Sequence, residues 1–403
     1  MAASPTPELN SSAPTPTLAQ VNAQARQLVL ANSVNMMQSV YSTTISGTIS
    51  ASNNIVNFNP RMVGFLKRFF VEVTGTITNT GSTAASIALS PMGATNLLSN
   101  VTLTDLSNNV RINTTGAHLH LLASAKRGWP FASSLTKTTG LNTGGVAFGT
   151  NIGFNNPPAT IPKTTGNTST FTWIFEIPIT YSDSDLRGGI WLGTTGQTMN
   201  VQLSLNPTSV SASGDAVNSV YNGDTGTLSN VSINVYQHYL DQIPYGKTGP
   251  ILPVMDMSVL YLLNQTTNTG IVANQDFPIP YANFRDFLST IALVDNAGAQ
   301  YAGTDINYFA LTAANFTNFF KTDPYIQTLG VRNRLKVDFP AGWYYFDHRH
   351  KPVSTNMFGN MQLVVNAGNS TQALGSNSYV QTFYEMFALV NLVGQAGSLS
   401  TGT

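Results

Sequence analysis

Four of the five histidines in this 403-residue chain fall into two His-x-His pairs, His118/His120 and His348/His350. Imidazoles two residues apart on an extended strand share a face and can bind one metal ion. Copper-dependent hydroxylation is the chemistry such a pair would serve. The first pair lies in a predicted helix, where two residues turn through about 200° and the rings diverge. The second precedes Lys351-Pro352 and can be extended, so His348 and His350 are the metal candidates, without evident partner ligands.

Other chemistry is thinner. Asp183 and Asp185 could form the carboxylate pair of a glycosidase, but in Tyr181-Ser182-Asp183-Ser184-Asp185-Leu186 the capping of a turn and a short helix accounts for both. Trp129, Trp173, Trp191 and Trp343 are dispersed, which suits core packing better than sugar stacking. Arg332, Arg334 and Lys336 make a small basic cluster, read as a solvated face or a salt bridge between subunits. There is no cysteine, hence no disulfide, thiol nucleophile or Cys-ligated zinc. No nucleophile elbow, P-loop or dinucleotide fingerprint occurs. The sequence therefore offers no catalytic residue and no cofactor site.

What the chain lacks is charge. Only 9% of its residues are charged, against about 25% in an ordinary protein. Lys plus Arg balances Asp plus Glu at 18 each, so there is no cationic surplus for direct contact with nucleic acid. A surface of Thr, Asn, Ser, Gln and Gly can be buried against neighbours without stranding ions. The expected partner is the chain itself. The opening Met-Ala-Ala-Ser-Pro-Thr-Pro-Glu lacks the pattern of a signal peptide, and no apolar run approaches the ~20 residues of a spanning helix.

The elements follow from periodicity. A Pro/Thr/Ser-rich arm, Met1 to Pro16, leads into an amphipathic helix capped by Thr17 and Gln20. Its apolar stripe is Leu18, Val21, Ala25, Leu28 and Val29, a face for a membrane or a neighbour, with Asn22, Gln24, Arg26 and Gln27 opposite. From Gly47 the period becomes two. Phe69/Val71/Val73/Ile77, Phe171/Trp173/Phe175/Ile177, Val201/Leu203/Leu205 and Val231/Ile233/Val235 each alternate with outward residues. Two helices interrupt the strands. One is capped by Thr115, faces Leu119, Leu122 and Ala123 inward and ends in Lys126 and Arg127. The other is expected after Asp295-Asn296-Ala297-Gly298, capped by Thr304 or Asp305, with Ile306, Phe309, Ala310 and Ala313 inward. A strand, an Asp-led turn and a capped helix thus occur once per half, which reads as a duplication. The Pro/Gly-rich connector Asp241 to Pro250 separates the halves. The expected division is a helical arm over 1–46, one sandwich over 47–245 and another with a C-terminal tail over 246–403.

Several segments together resemble the major capsid proteins of tectiviruses, icosahedral phages with an internal membrane. They are His118-Leu119-His120 through Ala125-Lys126, Tyr239-Leu240-Asp241-Gln242, Leu288 to Ala292, Gly303 to Tyr308 and Asp338-Phe339-Pro340. The resemblance implies a mainly all-β chain of two eight-stranded jelly rolls in tandem, each with an inserted helix, behind an N-terminal helical arm. It implies pseudo-hexagonal homotrimers tiling a virion shell, minor capsid and vertex proteins as partners, assembly in the host cytoplasm and an N-terminal helix turned toward the membrane. The rival readings are a carbohydrate-binding spike or adhesin and a copper-dependent double jelly-roll hydroxylase.

Overall fold

The computed structural model describes residues 16–49, 54–79, 87–89, 93–127, 135–136, 140–141, 160–161, 166, 168–193, 198–205, 221–222, 226–247, 249–296, 299–300, 305–313, 316–336, 339, 342–350, 352–368 and 378–389. The expected arm before Pro16, Trp129, the Phe171 side chain and the proposed cap Thr304 lie outside the described residues.

Sixteen strands carry the architecture. In the first half, α1 (Leu18–Asn32) precedes β1 (Val34–Thr48), β2 (Asn54–Phe58), β3 (Phe65–Asn79), β4 (Leu98–Thr104) and β5 (Val110–Thr114). Then come α2 (Gly116–Arg127), β6 (Thr168–Pro178), β7 (Asn200–Leu205) and β8 (Gly226–Asp241). In the second, α3 (Val254–Met257) precedes β9 (Val259–Thr269), β10 (Asp276–Pro280), β11 (Asp286–Asn296), β12 (Ile306–Ala313) and β13 (Phe316–Thr322). It ends with α4 (Pro324–Leu335), β14 (Trp343–Asp347), β15 (Gln362–Ala367) and β16 (Tyr379–Leu389).

The first sandwich is built from the paths β1-β8-β3-β6 and β2-β7-β4-β5, the second from β9-β16-β11-β14 and β10-β15-β12-β13. Adding eight to each strand of the first pair gives the second, so the chain is two jelly rolls of one topology. Strands β5 and β9 run parallel, pairing Ile112 with Leu263 and Asn113 with Asn264, and fuse a sheet of one sandwich to a sheet of the other. Each sandwich has its own core. Val71, Val73, Trp173, Phe175, Leu203, Ile233 and Val235 fill the first, as the alternation of period two requires. Ile279, Phe309, Leu311, Phe346, Leu363, Val365 and Tyr384 fill the second.

Three expectations are corrected. Residues Ile306 to Ala313 are strand β12, not a helix. A bulge between Ile306 and Tyr308 adds one residue to the ladder with β15. Ile306, Phe309 and Leu311 consequently share the core face, and the bulge mimics helical spacing. The helix equivalent to α2 is α4, which follows β13 as α2 follows β5, so the strand-turn-helix units matched in the sequence were not equivalent ones. Finally, the stretch 1–46 is not all arm, because Val34–Thr48 pairs with β8 from Asp241 back to Ser229. That strand lies at a sheet edge and is largely exposed, so its sequence lacks a clean apolar alternation.

Candidate assembly surface and the junction beneath it

The two sandwiches meet around α2. Thr115 Oγ1 accepts the His118 backbone N–H at 3.2 Å, the expected cap. Gly116 is required by close approach, since a Cβ there would lie 2.6 Å from the Thr95 carbonyl oxygen. Leu119 and Leu122 enter the first core. Ala117, Leu121 and Ala125 instead join Ile291, Leu293, Trp343, Tyr345 and Phe383 of the second sandwich and Val331 and Leu335 of α4. A helix apolar on both sides has two bodies to cover.

Lys126 ties the junction electrostatically. Its Nζ lies 2.8 Å from Glu385 Oε1 and donates to the Tyr261 hydroxyl at 2.8 Å and the Tyr181 carbonyl at 3.0 Å. Glu385 is fully buried on β16 and also accepts from Tyr261 Oη at 2.8 Å and Ser289 Oγ at 2.7 Å. Burial pushes its carboxyl up, but Lys126 and the two hydroxyl donors outweigh burial and hold it below the usual glutamate range. Sequence reading places Lys126 at the helix end; nothing local points to a carboxylate 259 positions downstream.

The histidines of the first pair are buried beside this network. His118 Nδ1 lies 2.6 Å from Thr114 Oγ1 and its ring 5.1 Å from that of Phe383. Burial lowers His118 to about 3 and His120 to about 4, so both are neutral at pH 7. His348 is half-buried after β14, lowered by burial to about 4, and its backbone N–H donates to the Leu288 carbonyl at 2.8 Å. His350 is exposed in the following turn. Among the described residues no three of His, Asp and Glu are grouped to hold a metal.

Among the described residues, many of the scarce charges pair within the subunit. Arg68 binds Glu176 at 2.8 Å and also Asp183, which Lys67 meets at 2.9 Å. Arg187 holds Asp185 at 2.5 Å. Asp183 and Asp185 are thus ion-pair partners in a bend rather than caps of a short helix. Their separate cations hold both carboxyls below the usual range despite burial, which raises them. Arg332 and Arg334 lie in the last turn of α4 and Lys336 caps it in the left-handed region, where cations suit the helix dipole. Arg334 lies 3.4 Å from Asp347. Trp173 and Trp343 are core residues, and Trp191 is half-buried.

The N-terminal helix divides its stripe. The Thr17–Gln20 capping box is present, with Thr17 N–H donating to Gln20 Oε1 at 2.8 Å. Ala25 and Val29 are buried, Val29 among Phe65, Leu186, Leu240 and Ile243. Leu18, Val21 and Leu28 are exposed. Asn22, expected on the polar face, is buried instead. It donates to Asp256 Oδ1 at 3.0 Å and accepts the Met255 N–H at 2.9 Å, while Arg26 lies 3.4 Å from Asp256. No local signal could reveal this, because α3 lies in the other half of the chain.

Comparison with solved structures first places the chain in a class, the double jelly-roll fold. It superposes on the STIV MCP, from Sulfolobus Turreted Icosahedral Virus, with a TM-score of 0.62 at 12% identity, over 90% of this chain and 99% of that one. It superposes on PBCV-1 VP54, as fitted into the virophage Sputnik, with a TM-score of 0.53 at 9% identity, over 88% and 94% of the two chains. The sequence defines the family. Residues 9–243 match the P3 major capsid protein N-terminal model and residues 258–401 the C-terminal model. Over 386 residues the chain is 36% identical to the major capsid protein P3 of Enterobacteria phage PRD1, covering 94% of each. The chain belongs to the P3 major capsid protein family, and its place is the capsid shell of a virion.

Proposed function

We propose that three copies associate into a homotrimer of nearly hexagonal outline and that trimers tile an icosahedral shell over an internal membrane. The observation that carries this reading is the repeated strand order, which gives three chains six like-folded sandwiches. The uncharged polar surface supports it, since Asn, Gln, Ser and Thr serve as donor or acceptor as neighbours change. The work is structural rather than catalytic, without direct nucleic-acid contact. The connector Asp241 to Pro250 separates the two structural units. Leu18, Val21 and Leu28 of α1, with the arm before them, face the membrane or adjoining subunits, and minor capsid and vertex proteins complete the shell.

Sedimentation of the purified protein tests the reading. The expected mass is three times the 43.1 kDa of the chain; a stable monomer at micromolar concentration refutes it. Truncation before Val34 should leave trimers intact and weaken attachment to vesicles or adjoining trimers. It must not reach Gln38, which pairs with Gln237 in the β1–β8 ladder.

A further inference from the structure

The open face of α1 shares its end of the molecule with two loops of the second sandwich. Asn22 of α1 binds Asp256, three residues before β9 begins at Val259. Val259 is level with Leu389 and Asp286 with Phe387, so β9 and β11 start at this same end. Phe284 stands in the loop entering β11 and is 58% exposed. Met357, between β14 and β15, is 76% exposed.

The two loops are clasped together. Ser354 pairs with Asp286. Thr355 is buried; its Oγ1 accepts the Arg285 N–H at 2.9 Å, and its own N–H donates to the Arg285 carbonyl at 2.9 Å. Its hydroxyl also donates to the Ala282 carbonyl at 3.0 Å. Within this clasp Phe284 is held at a φ of +59°, a left-handed backbone that a bulky residue seldom adopts. Such strain persists only where the surroundings impose it, and it concentrates at functional positions. Here it leaves an aromatic ring open to solvent three residues before Phe287 enters the second core. Met357 is fixed by its N–H, which donates to the Ser354 carbonyl at 3.2 Å. Next to it Phe358 packs edge-on against Phe319, with ring centroids 4.9 Å apart.

Arg285 adds a charge beside the two tips. It is half-buried, and its Nη1 donates to the Phe284 carbonyl at 2.9 Å. Among the described residues no carboxylate pairs with it, and burial lowers its pKa with no acid opposing. Two fixed apolar tips around an unmatched guanidinium fit a phospholipid surface. The tips enter the boundary of the acyl chains, and the guanidinium takes a lipid phosphate.

We propose that Phe284, Met357 and Arg285 form a phospholipid-contact point of the second sandwich, separate from α1. The proposal rests on the reading that this end of the subunit faces the membrane, and it gives the other sandwich a foothold of its own. Lipid is favoured over a second copy because it supplies both an apolar bed for two isolated tips and an unpaired anion, whereas carboxylates are scarce in this chain. Each contact is weak alone, and the copies in a trimer add theirs together.

The absence of cysteine permits a direct test. Full-length Met357→Cys is labelled with a polarity-sensitive maleimide dye and mixed with vesicles of phosphatidylglycerol and phosphatidylethanolamine. Its emission should shift to the blue and be quenched by lipids brominated in the acyl chains. The same dye on Val272→Cys, 51% exposed at the opposite end where β9 runs toward β10, should not respond. The unlabelled double variant Phe284→Asn with Met357→Gln should keep its trimers and lose at least about tenfold in partitioning to vesicles. Asparagine accepts the left-handed backbone, so the loop is preserved. Vesicle binding with a silent dye at Met357→Cys, or unchanged partitioning of the double variant, overturns this contact and leaves that of α1 standing. No vesicle binding by any form overturns both. Dissociation of trimers in the double variant assigns the tips to a neighbouring copy and overturns the proposal.

Discussion

Helices α1 and α2 differ little in composition and greatly in attachment. α2 is buried along almost its whole length because it serves two sandwiches. α1, 15 residues long, buries only Asn22, Ala25 and Val29 and rests on one side of one subunit. Propensity does not separate them. The number of bodies each touches does, and so does the solvation of the ion pair each makes. Lys126 meets a carboxylate sealed from water, whereas Arg26 meets Asp256 with its own side chain about one-third exposed. Helix α2 is a fixed weld and α1 a docked strap, which suits a segment that must answer to different neighbours.

The comparison breaks most readily at its ion pairs. Lys126→Met leaves Glu385 charged and buried without its cation, and should cost about 3–5 kcal/mol in denaturant unfolding. Adding Glu385→Gln should recover much of that loss, because the stranded charge is gone. Arg26→Met should cost less, about 1–2 kcal/mol, because Arg26 is itself part-exposed and the buried Asp256 keeps its hydrogen bond from Asn22. Equal losses at the two sites would erase the distinction between weld and strap.

Acid should act on the weld. Burial lowers His118 to about 3, below the ordinary value of 6.5, so as pH falls the unfolded chain takes up this proton well before the native chain does. Stability from this source is whole above about pH 6.5 and declines toward pH 3, by at most about 1.4 kcal/mol per pH unit. Glu385 acts in the same direction at lower pH, since its native value is depressed. His118→Gln should flatten unfolding free energy against pH by about 2 kcal/mol between pH 6.5 and 5. An unchanged slope would show that His118 is solvated in solution. α1 holds no histidine and supplies no such slope.

The strap should respond to Asn22. Asn22→Ala removes a donor to Asp256 and an acceptor for Met255 N–H, a loss of about 1–2 kcal/mol. It should appear as faster hydrogen exchange across α1, with β8 and β16 unchanged. A global loss of stability would mean that α1 is part of the weld.

What the sequence disclosed divides along the same line. Period two exposed strands such as β3, β6, β7 and β8 because each has one buried face. The capping box of α1 was legible because Thr17 and Gln20 are three residues apart. Asn22 and Lys126 were placed on helices correctly, but their partners lie in the other half of the chain, so the role of each was invisible. β12 was misread because a bulge changes the spacing of a strand without changing its composition. β1 was merged with the arm because an edge strand need not alternate. The unit repeat was recognised, yet its true counterpart, α4, has a weak apolar stripe because half its surface stands open.

The smallest effect should fall at the first turn of α1. Thr17→Ala removes the side-chain acceptor for Gln20 N–H, at 3.3 Å, and leaves Gln20 to cap the entering chain alone. The cost is about 1 kcal/mol or less, confined to the helix start. Leu18 and Val21 sit in that turn and are already exposed, so fraying there breaks no core contact. Val29, at the far end, stays buried in its cluster. Exchange should therefore quicken at the N-terminal amides of α1 and hold steady near Val29. If it quickens uniformly, the helix detaches as one unit and Asn22 alone sets its hold.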